Sequence, residues 1–313
     1  MNWDMAAVTG EHLSRPSNPS PTPYSLFVFG LGYSALHFVR TRRALFASVA
    51  GTVRRADKAA ELRREGIGAI AFSDDDVDPA IARHLSKTDA LLVSIPPGEA
   101  DPALARFSQV IAAAQDLATI VYLSTIGVYG DHAGNWVDET TTPRPGSTRG
   151  HERIRAERGW IELGKRTGKA VHVLRLGGIY GPGRNALTKL REGSARPLAK
   201  PGQVFNRVHV EDIARAIEAA LAYGGPGGLW NVTDDEPAPP QEVVACAAKL
   251  LGLEVPPAVP FEAAEIPAMT RSFYGENRRV ANARLKQDLG VRLAFPTYRE
   301  GLRALFQEGE GRG

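Results

Sequence analysis

Only one cysteine, Cys246, stands in 313 residues, and that scarcity removes several chemistries at once. No intrachain disulfide can form, and no multi-cysteine metal site exists. Cys246 lies in the apolar run VVACAAKLLGL, where a thiol packs as a small hydrophobe. No apolar run reaches the roughly 18 residues of a membrane span. The start, MNWDMAAVTGEHLSRPSNPSPTPYS, lacks the basic residues and apolar stretch of a secretory signal, so a cytoplasmic address is expected. There is no block of basic charge either. Lys and Arg number 38 against 35 Asp and Glu, and the two signs interleave, as in ADKAAELRRE. A phosphate-backbone footprint is therefore missing, and the expected partner is a small molecule rather than nucleic acid or membrane. The run Asp74-Asp75-Asp76 has no glycine-punctuated ligand spacing, so no metal is expected.

The remaining composition, 43% apolar and 23% charged, suits an ordinary globular chain. Residues 1–24 are rich in Pro, Ser and Asn and read as a disordered leader. From residue 25, short apolar runs alternate with amphipathic segments. Strands are expected at Ser25–Phe29, Phe46–Val53, Ala69–Phe72, Ala90–Ile95, Thr119–Leu123 and in AVHVLRL. Helical patterns fall between them. Runs apolar on both faces belong to a parallel sheet covered on both sides, so the fold class is α/β, a Rossmann-type doubly wound parallel sheet. The dinucleotide-binding domain is placed at 25–176. A smaller, interwoven C-terminal portion at 177–313 faces the substrate, and some of its segments return to the sheet.

Gly30-Leu31-Gly32-Tyr33-Ser34-Ala35 follows the first strand and opens a helix. The first glycine permits a tight turn, and the second lets a pyrophosphate approach the backbone. The small Ala35 allows close packing, while the helix N-terminus supplies N–H groups and a positive dipole. About 20 residues on, where an NAD site offers a carboxylate to the ribose, the chain carries Arg54 and Arg55. Arginine there suits a 2′-phosphate, so NADP is the expected cofactor, with NAD the alternative. Ser94 and Pro96, in LLVSIPP, end the fourth strand against the cleft. Asp74 ends the third, where it either reads the adenine or simply shapes a turn.

At LSTIGVYGD the pattern becomes specific. With PGSTRGHERIRAE, VLRLGGIYGPGR, NRVHVEDIARAI, NVTDDEP and RRVANARLKQDLG following in order, the chain resembles the extended short-chain dehydrogenase/reductase superfamily, in its NAD-dependent epimerase/dehydratase branch. The resemblance implies a homodimer formed through helices of the large domain. It also implies that Thr125, with Ser124 beside it, meets the substrate oxygen, and that Gly178 and Ile179 lie against the nicotinamide. A tyrosine and a lysine four residues later normally move the proton; here those positions hold Arg149 and Arg153. A guanidinium keeps its proton near neutral pH, so this is an atypical member. Arg153 is expected on the ribose hydroxyls, Arg149 on a developing oxyanion or a ligand anion, and Tyr129 as a substitute proton relay. Arg184, Arg207 and Trp136 border the expected substrate side, and the two arginines suit an anionic substrate. The expected function is an NAD(P)-binding oxidoreductase of epimerase/dehydratase type acting on a small carbonyl or sugar-nucleotide-like substrate. The alternative is a non-catalytic NADP(H)-binding sensor or scaffold.

Overall fold

The computed structural model describes residues 22–73 and 78–311. Asp74 and residues 1–21 of the expected leader lie outside the described residues. The first half alternates strand and helix: β1 (Tyr24–Phe29), α1 (Tyr33–Thr41), β2 (Phe46–Val53), α2 (Ala56–Arg64), β3 (Gly68–Ala71), α3 (Pro79–Leu85), β4 (Ala90–Val93), α4 (Pro102–Ala113) and β5 (Thr119–Thr125). There follow β6 (Trp136–Val137), α5 (Thr148–Thr167), β7 (Ala170–Leu176), β8 (Gly178–Tyr180), α6 (Ala186–Arg191), β9 (Leu198–Ala199), β10 (Arg207–His209), α7 (Val210–Ala222) and β11 (Gly227–Val232). The chain closes with α8 (Pro240–Leu251), β12 (Val259–Pro260), α9 (Ala268–Phe273), β13 (Arg279–Val280), α10 (Ala283–Gln287) and α11 (Tyr298–Gln307).

Seven parallel strands form one sheet in the order β11-β7-β5-β4-β1-β2-β3. Strand β1 shows why its apolar run is continuous. Leu26 and Val28 enter the core shared with α1, α2 and α7, while Phe27 and Phe29 enter the core shared with α3, α4 and α5. All four are at most 2% exposed, and each such burial stabilises by about 1.5–3 kcal/mol. The order reverses between β1 and β4, and such a crevice at the strands' C-terminal ends is where open α/β sheets take ligands.

The chain re-enters this sheet after residue 177. Strand β11 pairs in parallel with β7, and α7 lies beside α1. The pair is joined by His37 Nε2 to Glu211 at 2.9 Å and by Arg42 to Glu211 and Glu218 at 2.7 and 2.6 Å. The periodicity VHVEDIARAI reads as helix from its start, but Arg207–His209 pairs as β10 with β8, and the helix begins only at Val210. His209 makes the break: its Nδ1 accepts from Glu211 N at 3.1 Å, capping α7. Helices α6, α8 and α11 pack on Tyr180, Ala238 and Tyr298 as a separate small core.

Candidate functional site

The glycine turn after β1 is built for an anion. Gly30 sits at φ +88°, and a Cβ there would lie 2.5 Å from Ile95 Cγ2, so only glycine fits. Its N–H donates to Thr52 Oγ1 at 2.9 Å, and Leu31 N donates to Thr52 O at 2.8 Å, which fixes the turn on β2. Gly32 caps α1 without a side-chain hydrogen bond, and a Cβ added there meets nothing within 4 Å. No acidic residue stands in the first turn of α1. The helix end therefore presents unpaired N–H groups and its positive dipole to open space. These residues fit the pyrophosphate of a dinucleotide. Ser34 and Ala35 pack inward, and Tyr33 stays 36% exposed at the mouth.

Around the adenosine end the expected residues divide. Arg54 is exposed at the end of β2, while Arg55 is paired with Asp57 at the start of α2. Arg54 has no ion-pair partner among the described residues. Ser94 N donates to Phe29 O at 2.8 Å, which draws the β4 terminus, with Ile95 and Pro96, alongside Gly30.

A cavity of about 1130 Å³ opens at the C-terminal ends of β5 and β7, walled on its far side by α6, α8 and α9. Thr125, Arg149, Arg153, Gly178, Ile179, Arg184 and Arg207 all border it, so the fold gathers seven of the expected residues. Thr125 Oγ1 accepts from Gly127 N at 3.1 Å, which leaves its O–H to donate outward. Ser147 caps α5 by accepting from Gly150 N at 3.2 Å. The tight approach of Gly150 to Pro145 sets the start of this helix against the turn after Thr125. Arg149, on that first turn, is exposed, with no hydrogen-bond or ion-pair partner among the described residues. Arg153 Nη1 donates to Leu123 O at 2.8 Å and to Tyr122 Oη at 3.1 Å, so its guanidinium is fastened to β5.

Three expected site residues lie elsewhere. Tyr129 is fully buried; its hydroxyl donates to Asn231 Oδ1 at 2.8 Å, and the Arg175 guanidinium sits 4.8 Å from its ring. Burial pushes its pKa up to about 12, Arg175 opposing, and Tyr129 does not line the cavity. Ser124 turns into the core and donates to Glu157 Oε1 at 2.5 Å. Glu157 in turn holds the buried Arg175 at 2.7 and 3.1 Å. Strand alternation explains both faces: Thr125 points to the cavity, so its neighbour Ser124 points away. Trp136 is 60% exposed in β6, which pairs with β13, and it does not line the cavity.

The cavity wall also carries residues that local pattern did not mark. Lys189, Arg196 and Arg278 raise its cationic side chains to seven, against one carboxylate, Glu276. That carboxylate is already matched by Arg278 at 2.7 Å. Arg207 Nη1 donates to Phe205 O and Ala238 O, both at 2.9 Å, and its guanidinium lies 5.7 Å from the Tyr298 ring. Burial lowers its pKa, and Asp234 opposes the shift. Asp234 itself is pushed up to about 8 by burial, with Arg207 pulling the other way, and its Oδ2 has no partner. Among the described residues no group of His, Cys, Asp and Glu could hold a metal ion, and no helix is long and apolar enough to cross a membrane.

Sheet order, glycine turn and the crevice at the strand ends together define a Rossmann-type α/β fold. Residues 105–233 match the model of the NAD dependent epimerase/dehydratase family. A structure of a functionally unknown conserved protein from Silicibacter pomeroyi is 44% identical, with a TM-score of 0.83 over 92% of this chain and 99% of its own. Protein YeeZ of Escherichia coli K12 is 29% identical over 245 residues, 73% of this chain and 84% of its own. MoeE5, solved with UDP-glucose and NAD, shares the fold at 21% identity and a TM-score of 0.69, over 89% of this chain and 96% of its own.

Proposed function

We propose that this chain is an NAD(P)-dependent oxidoreductase of epimerase/dehydratase type, acting on an anionic carbonyl or sugar-nucleotide-like substrate. The observation that carries the reading is the cavity wall. Seven cations face one carboxylate that is already paired, in a chain whose overall charge is only +3. Confining one sign of charge to a concave, low-dielectric wall concentrates counter-ions there, and an anionic ligand is the group that would match it. The UDP-glucose and NAD held by MoeE5 are a precedent on the same fold. NADP is favoured over NAD because Arg54, exposed at the end of β2, has no ion-pair partner among the described residues and stands where an NAD site offers a carboxylate.

The bound cofactor would supply a hydride donor or acceptor. Thr125 donates its free O–H to the substrate oxygen, and Arg149 holds negative charge on that oxygen without giving up a proton. Arg153, fastened to Leu123 O, offers its remaining N–H groups to the ribose. Protons are exchanged with solvent, since neither Tyr129 nor Tyr122 reaches the cavity. The reading is tested with purified protein, NADPH or NADH, and a panel of anionic ketones and sugar nucleotides, followed by dihydronicotinamide absorbance and product analysis. Turnover abolished by Thr125→Val supports it.

One observation favours the alternative of a sensor that binds without turnover. The tyrosines that do line the cavity, Tyr180, Tyr274 and Tyr298, all come from segments after residue 177, and none stands on α5 where the resemblance puts the proton donor. Nucleotide binding with no turnover across the panel decides for the sensor.

A further inference from the structure

We infer that the turn Gly181-Pro182-Gly183-Arg184 is a strap across the dinucleotide cradle, and that Arg184 binds the cofactor's pyrophosphate rather than the substrate. The inference rests on the reading of the Gly30–Ala35 turn as a dinucleotide site. The turn is closed on itself: Gly181 N donates to Arg184 O at 3.1 Å, and Arg184 N donates to Gly181 O at 3.0 Å. Gly183, at φ +68°, makes the reversal possible.

One side of the strap is pinned to the cradle. Tyr33, the first residue of α1 and the neighbour of Gly32, donates its hydroxyl to Pro182 O at 3.0 Å. A Cβ at Gly181 would lie 2.6 Å from that hydroxyl, so the approach requires glycine. The Arg184 guanidinium lies 5.8 Å from the Tyr33 ring, a cation–π contact that holds it at the mouth of the cradle while it also borders the cavity.

The other side is held by the end of the chain. Glu310 accepts from Gly183 N at 3.0 Å, from Asn185 Nδ2 at 2.9 Å and from Thr188 Oγ1 at 2.8 Å. Asn185 Nδ2 also donates to Gly181 O at 2.9 Å. The Glu310 carboxylate is thus filled by neutral donors, and no carboxylate among the described residues pairs with Arg184. The molecule therefore holds an unpaired guanidinium, pre-oriented on an aromatic face, beside a helix N-terminus that already favours an anion. A bidentate guanidinium suits a phosphate oxygen pair. Glu310, whose carboxylate is occupied by Gly183, Asn185 and Thr188, is a positioning residue.

Calorimetric titration with ADP-ribose and with adenosine tests this on the full chain. Arg184→Gln is expected to weaken ADP-ribose by about tenfold to a hundredfold, the loss of a charge-assisted hydrogen bond, and to leave adenosine unchanged. Glu310→Gln is expected to weaken ADP-ribose by a smaller factor, with no added effect in the Arg184→Gln background, because it acts through that side chain. Unchanged ADP-ribose binding by Arg184→Gln overturns the proposal. So does an equal loss for both ligands, which would report a disturbed fold. Failure of the unsubstituted protein to bind ADP-ribose defeats the dinucleotide reading itself, and the strap with it.

Discussion

Arg149 and Arg153 sit one helical turn apart on the same wall, yet their surroundings give them different work. Arg153 is tied to Leu123 O and Tyr122, so its position is set by β5. Arg149 has only the cavity before it. Arg149→Gln is expected to weaken anionic ligands by about tenfold, in steady-state or binding measurements, while leaving cofactor affinity within about twofold. Asp234 gives a test that needs no ligand. Its carboxyl is raised from an ordinary 3.8 to about 8, so between those values the folded state holds a proton that the unfolded state has released. Stability must then fall as pH rises through that window. Asp234→Asn is expected to flatten this slope and to raise Tm at pH 8, read as Tm against pH for both proteins. An unchanged slope would mean that Asp234 is ionised in the fold.

Helix α5 carries both arginines, and its placement depends on one buried pair. Glu157 holds Ser124 from β5 and Arg175 from β7, with Arg175 2% exposed. Glu157→Gln leaves that guanidinium buried without its counter-charge, and is expected to destabilise the protein by about 3–5 kcal/mol in denaturant unfolding. The glycine turn gives a sharper contrast between two neighbours. Gly30→Ala meets both a positive φ and Ile95 at 2.5 Å, so it should lower Tm clearly. Gly32→Ala meets open space, so it should leave Tm within about 2 °C while weakening dinucleotide binding. The turn and its helix were legible because strand, glycines and helix are contiguous. So was the cavity position of Thr125, carried by the LSTIGVYGD pattern. The misplacements of Tyr129 and Ser124 share a cause: motif position names a residue, but Ser124 on β5 and Tyr129 in the turn after it are held in the interior by Glu157, Arg175 and Asn231, which arrive from distant segments.

At the scale of the whole molecule, the parallel sheet was legible from runs apolar on both faces, such as Leu26–Phe29. The cationic wall was legible only in part. Arg184, Arg207 and Arg278 belong to quoted motifs, whereas Lys189 and Arg196 reach the cavity through the C-terminal portion, whose short elements leave no local period. The brace from Glu310 to Gly183, 127 positions apart, has no sequence signature at all. Because the wall attracts anions by long-range charge, ligand affinity should fall as salt rises from about 0.05 to 0.5 M, where the Debye length shortens severalfold. Calorimetry across that range checks it; salt-independent binding would show that the cations act only on one another.

The most direct test of the central claim, that this fold keeps a working dinucleotide site with a preference for the 2′-phosphate, is calorimetric titration with NADPH and NADH of the unsubstituted protein, Gly32→Ala and Arg54→Ala. The account predicts tighter binding of NADPH than of NADH, a preference erased by Arg54→Ala, and loss of both ligands in Gly32→Ala without loss of fold. Binding of neither nucleotide by the unsubstituted protein, or binding that Gly32→Ala leaves intact, would contradict it.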